Sequence, residues 1–410
     1  LLRARCLSPL GKERIDAMSF STDATQVNTW MEEIREFRRI QEGQDDFPLD
    51  NFFDVRESVA RIRLEGTHME VEELFDLKRS LETIIAIVNF LSRGEETEQG
   101  EIRHFYPALY NLADGVATFP LLVQRISQII DKFGKMRDNA SPELLKIRRE
   151  LARIEGSISR TLYGILRAAQ GEGLVEKDVT PTLRDGRLVI PVAPGLKRKI
   201  SGIVHDESAT GRTVYIEPTE VVEANNKIRE LENEERREMI RILTDFAKKV
   251  RPNVREILDS YNLMAAVDFI RTKAELARLF KSFEPQVAEE PHIDWIRAIH
   301  PLLQLSLERK HNNKLNDSIS VDNKEIDKVS NEVDNTQDYD TVLEEENDTR
   351  SVPSSVVPLD IQLTKDKHLL IISGPNAGGK SVCLKTVGLL QYMLQCGLSI
   401  PVGDRSTTGI

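Results

Sequence analysis

From His368 to Gly397 the chain reads as an apolar strand, a glycine-rich turn and an apolar-periodic helix, and few folds accommodate that order. The turn is Gly374-Pro375-Asn376-Ala377-Gly378-Gly379-Lys380-Ser381: two glycines separated by four residues, then Lys and Ser, with Val382 leading into the helix. Each part has a mechanical reason. Glycines let successive backbone N–H groups turn inward into an anion cradle, and the following helix points its positive end at the same place. Lys380 is placed to set an ammonium on the β- and γ-phosphates of ATP, and the Ser381 hydroxyl to hold Mg²⁺. The strand is expected at Leu369–Ile372 and the helix at Ser381–Gln395, so this end of the chain should be α/β.

The same segment sets a limit. Asp404 is the only side-chain carboxylate after Lys380, and it lies in a Gly/Pro-rich loop. Turnover by a phosphate-loop ATPase needs a second acidic strand to hold Mg²⁺ and position water. The chain as given is therefore expected to bind nucleotide without hydrolysing it, and no residue is assigned a catalytic role. A lone strand and helix cannot bury their apolar faces, so poor order is expected from about Gly374 onward.

The remainder reads as mainly α. Ser8-Pro9 and Ser141-Pro142-Glu143 are helix starts, an N-cap followed by Pro at the first helical position. Amphipathic patterns run over Ala24–Gln41, Asp54–Leu64, Val71–Leu91 and Leu121–Phe133, then from Pro142 to about Ala169, Pro218–Lys249 and Pro252–Ser282. In the Pro142 helix, Lys146, Arg148, Arg149, Arg153, Arg160 and Arg167 scatter around the cylinder and read as a solvated surface. The stretch Glu232–Glu238 has no apolar residue and is expected to be solvated or lightly packed. Between Lys177 and Pro218 the texture changes to short β-branched runs, Leu188–Val192, Lys199–Val204 and Thr213–Ile216, with a hairpin signal at Asp185-Gly186. A β-rich tip between an arriving and a leaving helix describes a lever with a head. The expected organisation is a helical core (1–140), a lever helix (141–176), a β-rich tip (177–218), lever and core helices (219–307), a disordered acidic stretch (308–351) and the start of an α/β phosphate-loop domain (352–410).

Charge needs to be located before it is interpreted. Of the formal net charge of −11, the segment Lys310–Ser351 holds twelve acidic and five basic residues, a net of −7, so acidity elsewhere is slight. That segment lacks the apolar content to offset ordering. Between Thr180 and Pro218 six basic residues, Arg184, Arg187, Lys197, Arg198, Lys199 and Arg212, stand against four acidic ones. Such a tip suits a phosphate backbone, which asks for charge and donors but no base-reading groups. His205 beside Asp206 and Glu207 reads as a surface or capping residue. Cys6, Cys383 and Cys396 have no metal-ligand spacing and suit a reducing cytoplasm. The longest apolar run, Thr83–Leu91, is about half the roughly 18 residues a membrane span needs, so no membrane partner is expected. Leu1-Leu-Arg-Ala-Arg5 reads as the middle of a helix, and the N-terminus is expected to be trimmed.

With those residues placed, the chain resembles the MutS family of ABC-class DNA ATPases, and within it the second-type branch, which lacks the mismatch-reading N-terminal domain. Ile372-Ser-Gly-Pro-Asn-Ala-Gly-Gly-Lys-Ser-Val382 is similar to that family's phosphate loop. Arg184-Asp-Gly-Arg-Leu-Val-Ile-Pro-Val192, Gly202-Ile-Val-His-Asp-Glu-Ser-Ala209 and Ile216-Glu-Pro218 resemble its second-type clamp. Ala298-Ile-His-Pro-Leu-Leu303 and Val357-Pro-Leu-Asp360 resemble the entry to its ATPase domain. Two departures stand out: Ile299 occupies a place where Arg is usual, and the acidic stretch is not a family feature. The resemblance implies a homodimer with composite ATP and Mg sites. Nucleotide state would open or close the clamps on double-stranded, branched or recombining DNA, suppressing homologous recombination, and an endonuclease module would lie in the longer parent. The same architecture in some relatives implies an alternative partner, a collided ribosome and its rRNA. A structural coiled-coil ABC protein ranks last, since it needs longer heptad runs than these roughly 30-residue helices.

Overall fold

Serine before proline starts two of the helices. Ser8 Oγ accepts the Gly11 N–H at 3.4 Å and Ser141 Oγ the Leu144 N–H at 3.0 Å, while Pro9 and Pro142 sit where a missing N–H costs nothing. The computed structural model describes residues 1–43, 46–173, 175–176, 178–184, 186–309, 356–375 and 379–410. The architecture is mainly α with small sheets, as the periodicity implies. The chain divides into two compact units. One comprises Leu1–Pro48, Ile87–Val116 and Asn262–Ile410; the other comprises Leu49–Ala86 and Ala117–Tyr261.

In the second unit, the Pro142–Gly171 helix buries Leu144, Ile147, Leu151, Ile154, Ile158, Leu162, Leu166 and Ala169, one residue every three or four. They meet Val221, Ile228 and Leu231 of the Thr219–Val250 helix in a shared core. A four-stranded antiparallel sheet joins that core, in the order Thr182–Arg184, Arg187–Val192, Val214–Pro218, Gly202–Glu207. Ile190, Val192, Val214 and Ile216 form its buried face. Gly202 is needed because strand pairing is so close there: a Cβ would lie 2.2 Å from the Glu217 carbonyl oxygen. Gly156 and Gly164, inside the long helix, have no such reason. A Cβ at either meets nothing within 4 Å, yet each costs the helix about 1 kcal/mol relative to alanine. The polar stretch 232–238 is exposed or half-buried as expected, except at its last residue. Glu238 is buried, because Ser141 and Arg241 supply its hydrogen bonds, and Glu235 accepts from Arg148 Nε at 2.7 Å.

In the first unit, a four-stranded sheet has the order Val287–Ala288, Thr407–Gly409, Ile293–Ala298, Leu359–Leu363, with Trp295 wholly buried. Two expectations fail here. Leu369–Ile372 forms no strand: among the described residues nothing pairs with it, and Leu369 and Ile371 are 83 % and 91 % exposed. A strand without neighbours has no partner for its N–H and C=O groups. The segment after Gly374, expected to lack partners, has them. The Lys380–Gln395 helix buries Leu390, Met393 and Leu394, and Leu398, Ile400 and Val402 follow into the same core, against Val27, Met31, Leu276 and Phe280. Its partners come from early in the chain, which local periodicity does not reveal. The acidic stretch from Lys310, expected to be disordered, lies outside the described residues; 301–309 is helical.

Candidate functional site

Of the glycine-rich turn, Asn376, Ala377 and Gly378 lie outside the described residues; Gly374, Pro375, Gly379, Lys380, Ser381 and Val382 are placed. Gly379 stands at the N-cap of the Lys380–Gln395 helix with φ 79°, a left-handed conformation that suits glycine. Among the described residues no side chain caps this end. The first-turn N–H groups thus have no acceptor within the helix and face outward beside Ser381 and Val382, both exposed. The Lys380 ammonium lies back across the turn and donates to the Gly374 carbonyl oxygen. An uncapped positive helix end with a lysine beside it fits a phosphate group.

The other end of this helix is anchored. Lys273 Nζ donates to the Cys396 carbonyl oxygen at 3.3 Å and lies over the Phe269 ring at 4.1 Å and the Trp30 ring at 5.4 Å. Burial lowers the Lys273 pKa to about 8, and the nearby Glu33 charge opposes the shift. Burial likewise raises Glu33 to about 7, against the Lys273 charge. Gly397, at φ 69°, lets the chain turn directly over Trp30, where a Cβ would come within 2.7 Å of the indole. Sequence reasoning missed this buried pair, because Glu33 and Lys273 are 240 residues apart and each reads as a polar position on an amphipathic helix.

The six basic residues of the β-rich segment separate into two groups. Arg184 donates to the Tyr215 hydroxyl at 2.8 Å and lies over that ring at 4.2 Å. Arg187 donates to both Glu217 oxygens, at 2.7 and 2.9 Å, and to Asn226 at 2.6 Å. Glu217 has a wholly buried side chain and also meets His205 Nε2 at 2.5 Å and Asn225 Nδ2 at 2.7 Å. Burial alone would raise its pKa; the hydrogen bonds from Asn225, Arg187 and His205, with the Arg187 charge, outweigh that and hold it below the ordinary value. By contrast, Lys197, Arg198 and Lys199 follow the Pro194–Leu196 turn as an exposed run, and Arg212 is exposed in the turn that Ser208 Oγ braces. Among the described residues these four side chains have no hydrogen-bond or ion-pair partner. The Glu217 hub was missed; its only signal was a carboxylate between Ile216 and Pro218 in a β-branched run.

The structure thus shows a helical protein with a lysine beside the start of the Lys380–Gln395 helix and a small antiparallel sheet between two long helices. Comparison with known proteins gives its class: over its whole length the chain is homologous to the MutS2 branch of the MutS family. It is 32 % identical to Endonuclease MutS2 of Geobacillus sp. (strain WCH70) over 404 residues, which are 98 % of this chain and 44 % of that protein. Endonuclease MutS2 of Levilactobacillus brevis is 30 % identical over 409 residues, 100 % of this chain and 45 % of that protein. The protein of the same name from Symbiobacterium thermophilum is 30 % identical over 410 residues. The chain thus spans less than half the length of the curated relatives it matches. No family model matches it. Among the described residues no helix is long and apolar enough to cross a membrane.

Proposed function

We propose that this chain carries the helical core (1–140), a lever helix (141–176), the clamp (177–218), lever and core helices (219–307) and the first part of the ATPase domain (352–410) of an ATP-gated, DNA-binding homodimer of the MutS kind. The observation that carries this reading is the uncapped N-terminus of the Lys380–Gln395 helix, with Lys380 held across the turn, in a chain homologous throughout to MutS2 proteins. The first-turn N–H groups and Lys380 would hold the phosphates of ATP, and Ser381 would hold Mg²⁺. When bound, Mg²⁺-ATP supplies the negative charge that this end of the helix lacks a partner for. The Lys380 ammonium spends one donor on the Gly374 carbonyl and has two more for a phosphate. Lys273 and Trp30 meanwhile fix the far end, so a displacement at Lys380 reaches the core through a rigid helix.

On the DNA side, Lys197, Arg198, Lys199 and Arg212 supply unpartnered charge for phosphates, while Arg184 and Arg187 hold the sheet that presents them. Nucleotide state opening or closing the clamp on branched or recombining DNA, and so suppressing homologous recombination, is the biological reading. Titration of a fluorescent ATP analogue with Mg²⁺ tests the first part; Lys380→Ala is expected to weaken binding at least tenfold, and equal affinity refutes it. Binding to a four-way junction tests the second. Replacing Lys197, Arg198 and Lys199 with Gln should lower the slope of log K against log salt by about 0.9 for each phosphate no longer neutralised. An unchanged slope and affinity would remove the clamp assignment.

A further inference from the structure

We propose that the outward face of the Pro142–Gly171 helix is a second nucleic-acid contact, taking the sugar-phosphate backbone of duplex DNA on Arg149, Arg153, Arg160 and Arg167, with Gly156 and Gly164 giving it close access to the helix. The proposal shares the DNA-binding reading above but rests on different residues. The basic residues of this helix, expected to scatter around the cylinder, instead gather on one face apart from Arg148. Arg148 is taken up by Glu235, Asp138 and the Met136 carbonyl, and Lys146 lies 3.7 Å from Glu143. The other four, with the two glycines, fall within an arc of roughly 80° at 100° per residue, opposite the eight buried apolar residues. All six are exposed.

Arg149 and Arg167 have no side-chain partner among the described residues. Arg160 donates only to the Gly156 carbonyl, at 3.1 Å, and Arg153 pairs with Glu150. From Arg149 to Arg167 the strip is about 27 Å long at 1.5 Å per residue. A duplex alongside it would present roughly eight base pairs, at about 3.4 Å of each strand per pair.

The glycines carry the second half of the inference. Both weaken the helix, and neither is required by any neighbour, since the space outside them is open. A partner whose backbone approaches this face closely gives them a reason. A protein partner would bury apolar side chains at the centre of its footprint. Here Tyr163, 46 % exposed, is the one exposed large apolar side chain of the helix, and the hydroxyls of Ser157 and Ser159 flank the strip. Guanidinium groups, hydroxyls and a tyrosine are the donors that phosphate and sugar take.

The test uses the full chain and anisotropy of a labelled 30-base-pair duplex over a salt series. Arg149→Gln, Arg160→Gln and Arg167→Gln combined should lower the salt slope by about 2.7 and the affinity at least tenfold. Gly156→Leu with Gly164→Leu fills open space and suits a helix, so the thermal midpoint should not fall, while duplex affinity drops at least tenfold. If both variants bind as tightly as the parent while the Lys197/Arg198/Lys199 variant weakens, the strip is overturned and the clamp stands. If the arginine variant weakens but the glycine variant does not, the charge acts only at a distance and the contact is overturned. A parent chain that binds no duplex, or binds polyglutamate in its place, ends the proposal in favour of no partner or of an acidic protein.

Discussion

Replacing Glu217 with Gln asks whether the buried carboxylate holds the β-rich segment to the helix behind it. The side chain is 0 % exposed and receives Arg187 twice, His205 once and Asn225 once. These partners tie together the strands Arg187–Val192, Gly202–Glu207 and Val214–Pro218 and the start of the Thr219–Val250 helix. Gln keeps the shape but removes the charge and places an amide where an acceptor stood. Arg187, its side chain 14 % exposed, is left without its counter-charge. Removing one partner of a buried pair costs about 3–5 kcal/mol; Arg187 keeps its Asn226 acceptor, so the lower end, about 3 kcal/mol, applies. That is about two orders of magnitude in the local opening equilibrium. Hydrogen exchange read by mass spectrometry over Gly202–Glu207 and Val214–Pro218 should speed up by about that factor, with the Ala24–Glu42 helix unchanged. Glu217 is held below its ordinary value, so its contribution is present above pH 4.5 and lost as pH falls through its folded pKa. The variant should lack that acid dependence. Replacing Arg187 and Glu217 together with Met should recover most of the loss, because a well-packed apolar pair avoids the unpaired charge. Exchange within threefold of the parent, or a loss spread evenly along the chain, would refute the reasoning.

Ser141→Ala removes the cap on the Leu144 N–H and the 2.6 Å hydrogen bond to Glu238; urea unfolding followed at 222 nm should show a loss of about 1–2 kcal/mol. Glu33 has its folded pKa raised to about 7, so its contribution is full below pH 4.5 and declines as pH rises through 7. Glu33→Gln should abolish that decline in the thermal midpoint between pH 4.5 and 7. For Lys273, lowered to about 8, the sign is opposite: its contribution is full above pH 10.5 and lost as pH falls through 8. Gly397→Ala places a methyl against Trp30 at a left-handed position. It should cost about 1–3 kcal/mol and shift the emission of Trp30, one of only two tryptophans in the chain.

The elements are legible wherever local chemistry decides them. Val71–Leu91 reads correctly to the residue, and Ser141-Pro142 and Pro218 bound the long helices, because caps, proline and three-four periodicity act within one turn. Three strands of the 182–218 sheet are visible as β-branched runs between glycine and proline. What escapes is everything decided across the sequence. The hairpin Gly94–Glu96 with Ile102–His104 lacks β-branched runs, and the packing of the Lys380–Gln395 helix depends on Val27 and Met31, more than 300 residues earlier. For the candidate site, the octet is legible as a pattern, but the hold of Lys273 on the far end of its helix is not.

Charge shows the same divide in its most useful form. A count gives six cations in the β-rich segment and six in the preceding helix, and neither number describes what a partner would meet. Folding takes Arg187 into Glu217, Arg184 onto Tyr215 and Arg148 into Glu235, each as part of the structure. What is left, Lys197–Lys199 with Arg212 and a strip from Arg149 to Arg167, is concentrated on exposed surfaces and includes the side chains that gain nothing from the fold. Gly156 and Gly164 are also unused by the fold, and they lie on that same strip. Residues that weaken or ignore the structure that carries them, gathered on one face, are best explained by something outside it.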